Sequence, residues 1–260
     1  SLQDNRVTCA IACAIRIAAT HSSAAVSALA IGAACVPKML YGAFWTPPSN
    51  ATLNKLRTKV LSAVWGTCRL MRCPEIVIGF LHDPTRLDPY GALIHRGLMD
   101  ARRYLRKDEE RRNGFLSLLP QVDDFDLQGV QGPHHAFLGY AAALDCHYRV
   151  DGRSLHLTPT EGDSAGIDLL WDDHALVKTW LSRRIRYVIL LGLSLRVHEH
   201  LAEDGSVKVD PKTGEEMKPQ RKDLIGITPY IDDQATFAAF DRRRAAREAK
   251  KTDAKYKFLD

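Results

Sequence analysis

Apolar residues recur at three- and four-residue spacing along much of the chain, which is the pattern that one face of an amphipathic helix produces. The clearest instance follows Pro47 and Pro48, where Ser49 or Asn50 can cap a helix that Gly66 would end. The apolar stripe of this helix consists of Leu53, Leu56, Val60, Leu61 and Val64. The same spacing predicts further helices over residues 2–19, 22–34, 89–119, 135–148 and 172–201.

The last of these helices is the longest, and its apolar side is predicted to face the core. That side consists of Leu176, Val177, Trp180, Leu181, Ile185, Val188 and Leu195. A β-hairpin is predicted from strands over 147–150 and 154–157, with a turn at Asp151–Gly152. Loops are predicted over 120–133 and 202–222, which contain polar residues, glycine and proline. The sequence therefore predicts a mainly α fold with a small β-hairpin.

The composition is that of a folded protein with one large or two small domains. The chain has 260 residues, 45% hydrophobic and 26% charged, which is enough apolar material for a buried core. Its net charge of +5 is compatible with a polyanionic partner, although many ordinary basic proteins share it. Charged and polar residues interrupt the apolar stretch 9–40, so we expect neither a membrane segment nor a signal peptide. The first residue is Ser1 rather than methionine, which indicates a fragment or a processed product.

The six cysteines indicate neither a disulfide framework nor a zinc site. None forms a CxxC pair, and Cys68 and Cys73 have no histidine or second cysteine pair at zinc-finger spacing. We therefore expect reduced thiols in an intracellular protein, with Cys9 and Cys13 in packing positions on their helix.

Residues 36–66, VPKMLYGAFWTPPSNATLNKLRTKVLSAVWG, combine a Pro-Lys-x-Leu-Tyr-Gly segment with a Leu-Arg-x-x-Val helix that closes on Trp-Gly. This segment resembles the thumb region of LINE-type (non-LTR) retrotransposon reverse transcriptases. Residues 73–89, CPEIVIGFLHDPTRLDP, and residues 221–237, RKDLIGITPYIDDQATF, resemble later blocks of the same family. The resemblance therefore extends over most of the chain, in separate segments.

The resemblance implies a thumb-like helical unit over 1–66, then a linker block and a charged helix over 67–120. A mostly helical region with the hairpin and a polar loop would follow over 121–239, and a basic tail over 240–260. In the family the metal-binding aspartates lie in the palm, upstream of the thumb, so we expect no complete catalytic site and no cofactor here. The implied function is that of a non-catalytic fragment or remnant of an RNA-directed DNA polymerase. Its expected partner is RNA or an RNA–DNA hybrid at the template–primer, with no small-molecule substrate.

Basic side chains are the candidates for contact with a nucleic-acid backbone, since each neutralised phosphate releases counterions. The family geometry favours Arg57 and Lys59, on the outward face of the thumb-like helix. The tail beyond residue 240 is a further basic run. Acidic residues within the charged helix leave open a solvated surface of intrahelical ion pairs instead. The candidates on that helix are Arg102, Arg103, Arg106 and Lys107.

Two acidic motifs leave other functions open. Tyr230-Ile231-Asp232-Asp233 spells the YxDD box of reverse transcriptases, so the chain could be an active Mg²⁺-dependent polymerase or cleavage enzyme that uses Asp232 and Asp233. That chemistry needs a third aspartate from an earlier strand to hold two metal ions. Residues 161–166 match the acidic motif of type II topoisomerases, but no later DxD box follows. A helical interaction protein with no nucleic-acid role is the third alternative.

Overall fold

A computed structural model of the chain describes residues 2–66, 74–124, 132–160 and 165–198. Helix accounts for 73% of these residues, and the remaining regular structure is a small antiparallel sheet. The predicted mainly α fold with a small β-hairpin is therefore confirmed. In this part of the chain no helix is both long and apolar enough to cross a membrane.

The first four helices pack around a shared apolar interior. Helix α4 is capped by Ser49, whose side chain accepts a hydrogen bond from the backbone N–H of Thr52, and it ends at Gly66 with φ +106°. Both ends agree with the prediction, because an N-cap oxygen satisfies a free N–H and glycine tolerates positive φ. A π-helical segment, Ile31–Cys35, joins the second helix to the third. The four helices are α1 Leu2–Ala18, α2 Ala24–Ala30, α3 Val36–Leu40 and α4 Asn50–Trp65.

A second set of helices follows a π-helical segment at Ile76–Leu81. The single helix predicted over 89–119 is wrong in one respect, because Asp108 divides it. The Asp108 backbone is extended, and its carboxylate accepts a hydrogen bond from the backbone N–H of Arg111, which starts a new helix. The helices are α5 Pro84–Leu87, α6 Pro89–Lys107, α7 Glu109–Asp124, α8 Pro133–Ala143 and α9 His174–His198.

The sheet has the strand order β1-β2-β3, with Cys146–Asp151, Ser154–Pro159 and Ile167–Asp168 as its strands. Strands β1 and β2 form the predicted hairpin, in which Val150 lies opposite Leu155. Gly152, with φ +58°, supplies the left-handed backbone of the turn. The strand begins at Cys146, so the helix predicted to continue to residue 148 ends earlier, at Ala143.

The sheet is joined to the longest helix by Arg184. This side chain is buried, and its guanidinium donates hydrogen bonds to the backbone oxygens of Leu144 and Asp145, both at 2.7 Å. It also pairs with the Asp145 carboxylate at 2.9 Å. Asp145 has φ +51°, so these contacts fix a left-handed residue between α8 and β1.

One connected core runs through helices from both sets and the inner face of the sheet. Leu56 and Val60 of α4 and Leu98 and Leu105 of α6 are buried in it, as the helical spacing predicts. On α9 the prediction holds for Val177, Leu181 and Ile185 but is wrong for Leu176, which is 52% exposed. The predicted boundaries at residues 66, 120 and 239 remain predictions.

Candidate nucleic-acid interface

A cleft of about 600 Å³ lies between α6 and the first turns of α9. Five of its cationic side chains come from α6 and one from α9, so two distant segments build the site. His95, Met99, Asp100 and His174 complete the lining. The cationic residues are Arg96, Arg102, Arg103, Arg106, Lys107 and Lys178.

Helix α6 presents this charge because its two faces have different compositions. Leu98, Ala101 and Leu105 are buried against the core. Arg103 and Lys107 are exposed and four residues apart, so they follow one another along the opposite side of the helix. The rise of a helix places such neighbours about 6 Å apart along its axis. The helix therefore repeats positive charge along the cleft.

Only one carboxylate, that of Asp100, lines the described cleft. Arg96 and Arg103 each lie 2.9 Å from it, so two cations share one anion. Arg106, Lys107 and Lys178 are exposed, and no carboxylate in the described ranges forms an ion pair with them. The cleft therefore keeps an excess of positive charge, and an anionic ligand would complement it.

His95 adds no fixed charge to this excess at neutral pH. Burial is the main cause that lowers the pKa of His95; the charge of Asp83 opposes it, and the charges of Lys178 and Arg96 add to the lowering. A histidine with a lowered pKa is neutral at pH 7. At neutral pH the positive charge of the cleft is therefore carried by its arginines and lysines rather than by His95.

Arg102 has a different role from its neighbours. Although it was predicted to contact nucleic acid, it is only 2% exposed. Its guanidinium donates hydrogen bonds to the backbone oxygens of Leu169 and Asp172, in the segment that leads into α9. Arg102 therefore holds the two walls of the cleft together, while Arg103, Arg106 and Lys107 remain exposed as predicted.

The two candidates on α4 lie outside the cleft. Arg57 was expected on an outward face, but its side chain is 25% exposed and its Nε lies 3.0 Å from the buried carboxylate of Asp88. Arg57 thus joins α4 to the start of α6 through this ion pair. Lys59 is exposed, as expected, but it is not among the residues that line the cleft.

Three motifs singled out in the sequence lie partly or wholly outside the described residues. The YxDD motif with Asp232 and Asp233 and the basic tail over 240–260 both lie outside the described residues, as do residues 161–164 of the topoisomerase-like motif. Within the described ranges, no three histidine, cysteine, aspartate or glutamate residues are arranged to hold a metal ion.

The contribution of α9 to the cleft was not predicted from the sequence. Lys178 and His174 lie about seventy residues beyond α6, and no periodicity within one helix connects the two segments. A signal did exist for Arg102, because it is four residues after Leu98 and three before Leu105, which places it on the apolar stripe. No protein-family model, curated protein or solved structure matches the chain.

Proposed function

We propose that the chain is a non-catalytic part of a retroelement reverse transcriptase and that it binds template–primer nucleic acid through the α6–α9 cleft. The observation that carries this proposal is the set of exposed cations without a described carboxylate partner, namely Arg106, Lys107 and Lys178. The resemblance of residues 36–66 to the thumb region, and of residues 73–89 to a later block of the same family, supports the proposed family. The cleft is the surface that we propose contacts the nucleic acid.

A phosphate backbone suits this cleft for two physical reasons. The positive charge is distributed along a helix and a facing wall rather than gathered at one point, so it can contact several phosphates of one strand. Each contact releases condensed counterions, which makes the binding favourable at low salt and weaker as salt rises. Backbone contacts of this kind position a nucleic acid without selecting its sequence.

The test compares two double variants that remove the same charge. Lys107→Gln with Lys178→Gln removes two cations from opposite walls of the cleft. Lys38→Gln with Lys55→Gln removes two exposed lysines that do not line it. Binding to a fluorescein-labelled RNA–DNA hybrid is measured by anisotropy between 50 and 300 mM salt.

We expect the cleft variant to bind more weakly and its plot of log K against log salt to be shallower by about 1 for each lost contact. The control variant keeps the slope of the unmodified chain. If both variants lose affinity equally, the interaction follows net charge rather than the cleft, and the proposed site is wrong.

A further inference from the structure

The turn between β3 and α9 presents a tryptophan beside the cleft. Trp171 is 46% exposed. The centroid of its ring lies 5.8 Å from the guanidinium carbon of Arg106, which lines the cleft. Nearly half of the Trp171 surface is therefore open to solvent, next to a residue that lines the cleft.

Several hydrogen bonds hold the backbone of this turn. The Asp168 carboxylate accepts from the backbone N–H groups of Leu170 and Trp171, at 2.8 and 3.1 Å. The Asp172 carboxylate accepts from the N–H of Asp168 at 2.8 Å. Arg102 joins the turn to α6 through the carbonyl oxygens of Leu169 and Asp172. The position of the turn relative to the cleft is thus fixed from both sides.

The indole ring itself is also held. Its Nε1–H donates a hydrogen bond of 2.9 Å to the backbone oxygen of Arg153. The guanidinium of Arg112, which is only 4% exposed, lies 5.3 Å from the ring centroid. An exposed aromatic side chain that is already ordered loses little entropy when a ligand stacks on it.

We propose that Trp171 is a stacking platform for an unpaired nucleobase, so that the cleft prefers single-stranded nucleic acid or a single-stranded overhang to a continuous duplex. This inference rests on the proposed function and specifies its ligand. A positive groove with an aromatic side chain beside it is the arrangement with which proteins bind single strands, because every base offers a π-face. Bases inside a duplex are already stacked on both faces and are not free to contact the ring.

The experiment compares Trp171→Ala and Trp171→Phe with the unmodified chain. Trp65→Ala is the matched control, since Trp65 is also 46% exposed and does not line the cleft. Each protein is titrated with a labelled 12-nucleotide strand and with the corresponding duplex at 100 mM salt, in RNA and DNA versions. Thermal unfolding of each variant is recorded in parallel, so that a change in binding is not confused with a change in folding.

We expect Trp171→Ala to weaken single-strand binding about 5- to 150-fold, which is the range for the loss of one base–aromatic stack. Duplex binding should change less than about twofold, Trp171→Phe should recover most of the loss, and Trp65→Ala should behave like the unmodified chain. The single strand should also quench the tryptophan fluorescence of the unmodified chain, and this quenching should be smaller in Trp171→Phe.

If Trp171→Ala leaves single-strand affinity unchanged while the Lys107 and Lys178 variant loses affinity, the stacking inference is overturned and the proposed function stands. If the unmodified chain binds neither the strand, nor the duplex, nor the RNA–DNA hybrid, both are overturned. Equal losses for strand and duplex in Trp171→Ala also overturn the inference, because they show a contact that does not require an unpaired base. RNA and DNA strands that bind alike indicate recognition of bases and phosphates, and a preference for RNA adds a contact to the 2′-hydroxyl.

Discussion

The Nε of Arg57 lies 3.0 Å from the buried carboxylate of Asp88. The same carboxylate accepts a hydrogen bond from the backbone N–H of Gly91 and so caps α6, the helix that forms one wall of the cleft. A residue of α4 is therefore joined to the start of the helix that forms one wall of the cleft. We expect loss of this pair to lower the free energy of unfolding, and loss of the surface cations of α6 and α9 to lower the affinity for nucleic acid.

Replacing Arg57 with leucine should lower the free energy of unfolding by about 2–4 kcal/mol, because it leaves the Asp88 carboxylate buried without its cation. The Arg57 side chain is one-quarter exposed, so the effect should fall below that of a fully buried pair. Urea unfolding of the variant and of the unmodified chain measures this loss in the free energy of unfolding. Lys59→Leu, two residues away and exposed, is the control and should change stability by less than about 0.5 kcal/mol.

The stability contributed by Asp88 should fall as pH rises. Burial raises the pKa of its carboxyl group, against an opposing effect of Arg57. A carboxyl whose pKa is raised in the folded protein stabilises the fold when protonated, and this contribution is lost as pH rises through the folded pKa. The free energy of unfolding should therefore decrease relative to that of Asp88→Asn as pH rises from about 4, the pKa of an unfolded aspartate. A constant or increasing difference would show that the ion pair outweighs the burial.

Arg102 and Arg103 are adjacent in sequence, but their substitution should change different properties. Substitution of Arg102 should lower the stability of the fold, and substitution of Arg103 should lower the affinity for nucleic acid. Arg102→Met removes one buried and one partly buried hydrogen bond to the segment before α9, and we expect a loss of about 2–4 kcal/mol in stability. Arg103→Gln removes an exposed charge, so stability should change by less than about 0.5 kcal/mol while hybrid affinity falls. Thermal unfolding and anisotropy on both variants check this. If Arg102→Met folds with unchanged stability but binds weakly, the structural role assigned to Arg102 is incorrect.

Gly97 is required by the close approach of α8. A Cβ at this position would overlap the Cε2 atom of the Tyr140 ring. The Tyr140 hydroxyl donates a hydrogen bond to the backbone oxygen of Ala43, so the ring is not free to move away. We expect Gly97→Ala to destabilise the protein by about 1–3 kcal/mol through overpacking. Gly139→Ala, in α8 with open space around the new methyl group, should instead stabilise it by up to about 1 kcal/mol. Equal effects of the two substitutions would contradict this account of the packing.

Local features of the fold were predictable where one stretch of sequence contains the whole signal. Helix α4 has its cap, its apolar stripe and its terminal glycine within eighteen residues, and all three were identified. The hairpin likewise has its turn and both strands within a short segment. The break at Asp108 was missed because the surrounding residues are almost all charged, so no apolar periodicity marked where one helix ended and the next began.

The candidate site was less predictable because it depends on contacts between distant segments. The basic run of α6 was visible in the sequence, and the spacing of Arg102 from the apolar stripe indicated that it faces inward, but nothing identified the carbonyl oxygen of Leu169 as its partner. Arg57 had a suitable position on its helix, yet its partner Asp88 is 31 residues further along the chain. Only the packing of α4, α6 and α9 decides which cations face solvent.

The salt dependence of binding by the unmodified chain is the most direct test of the central claim. The cleft offers three to five exposed cations to a phosphate backbone. The affinity for an RNA–DNA hybrid, or for a single strand, should therefore fall as salt rises, with a slope of log K against log salt between about −2 and −4.5. Absence of binding to either ligand at 50 mM salt, or an affinity that does not change with salt, would contradict the account.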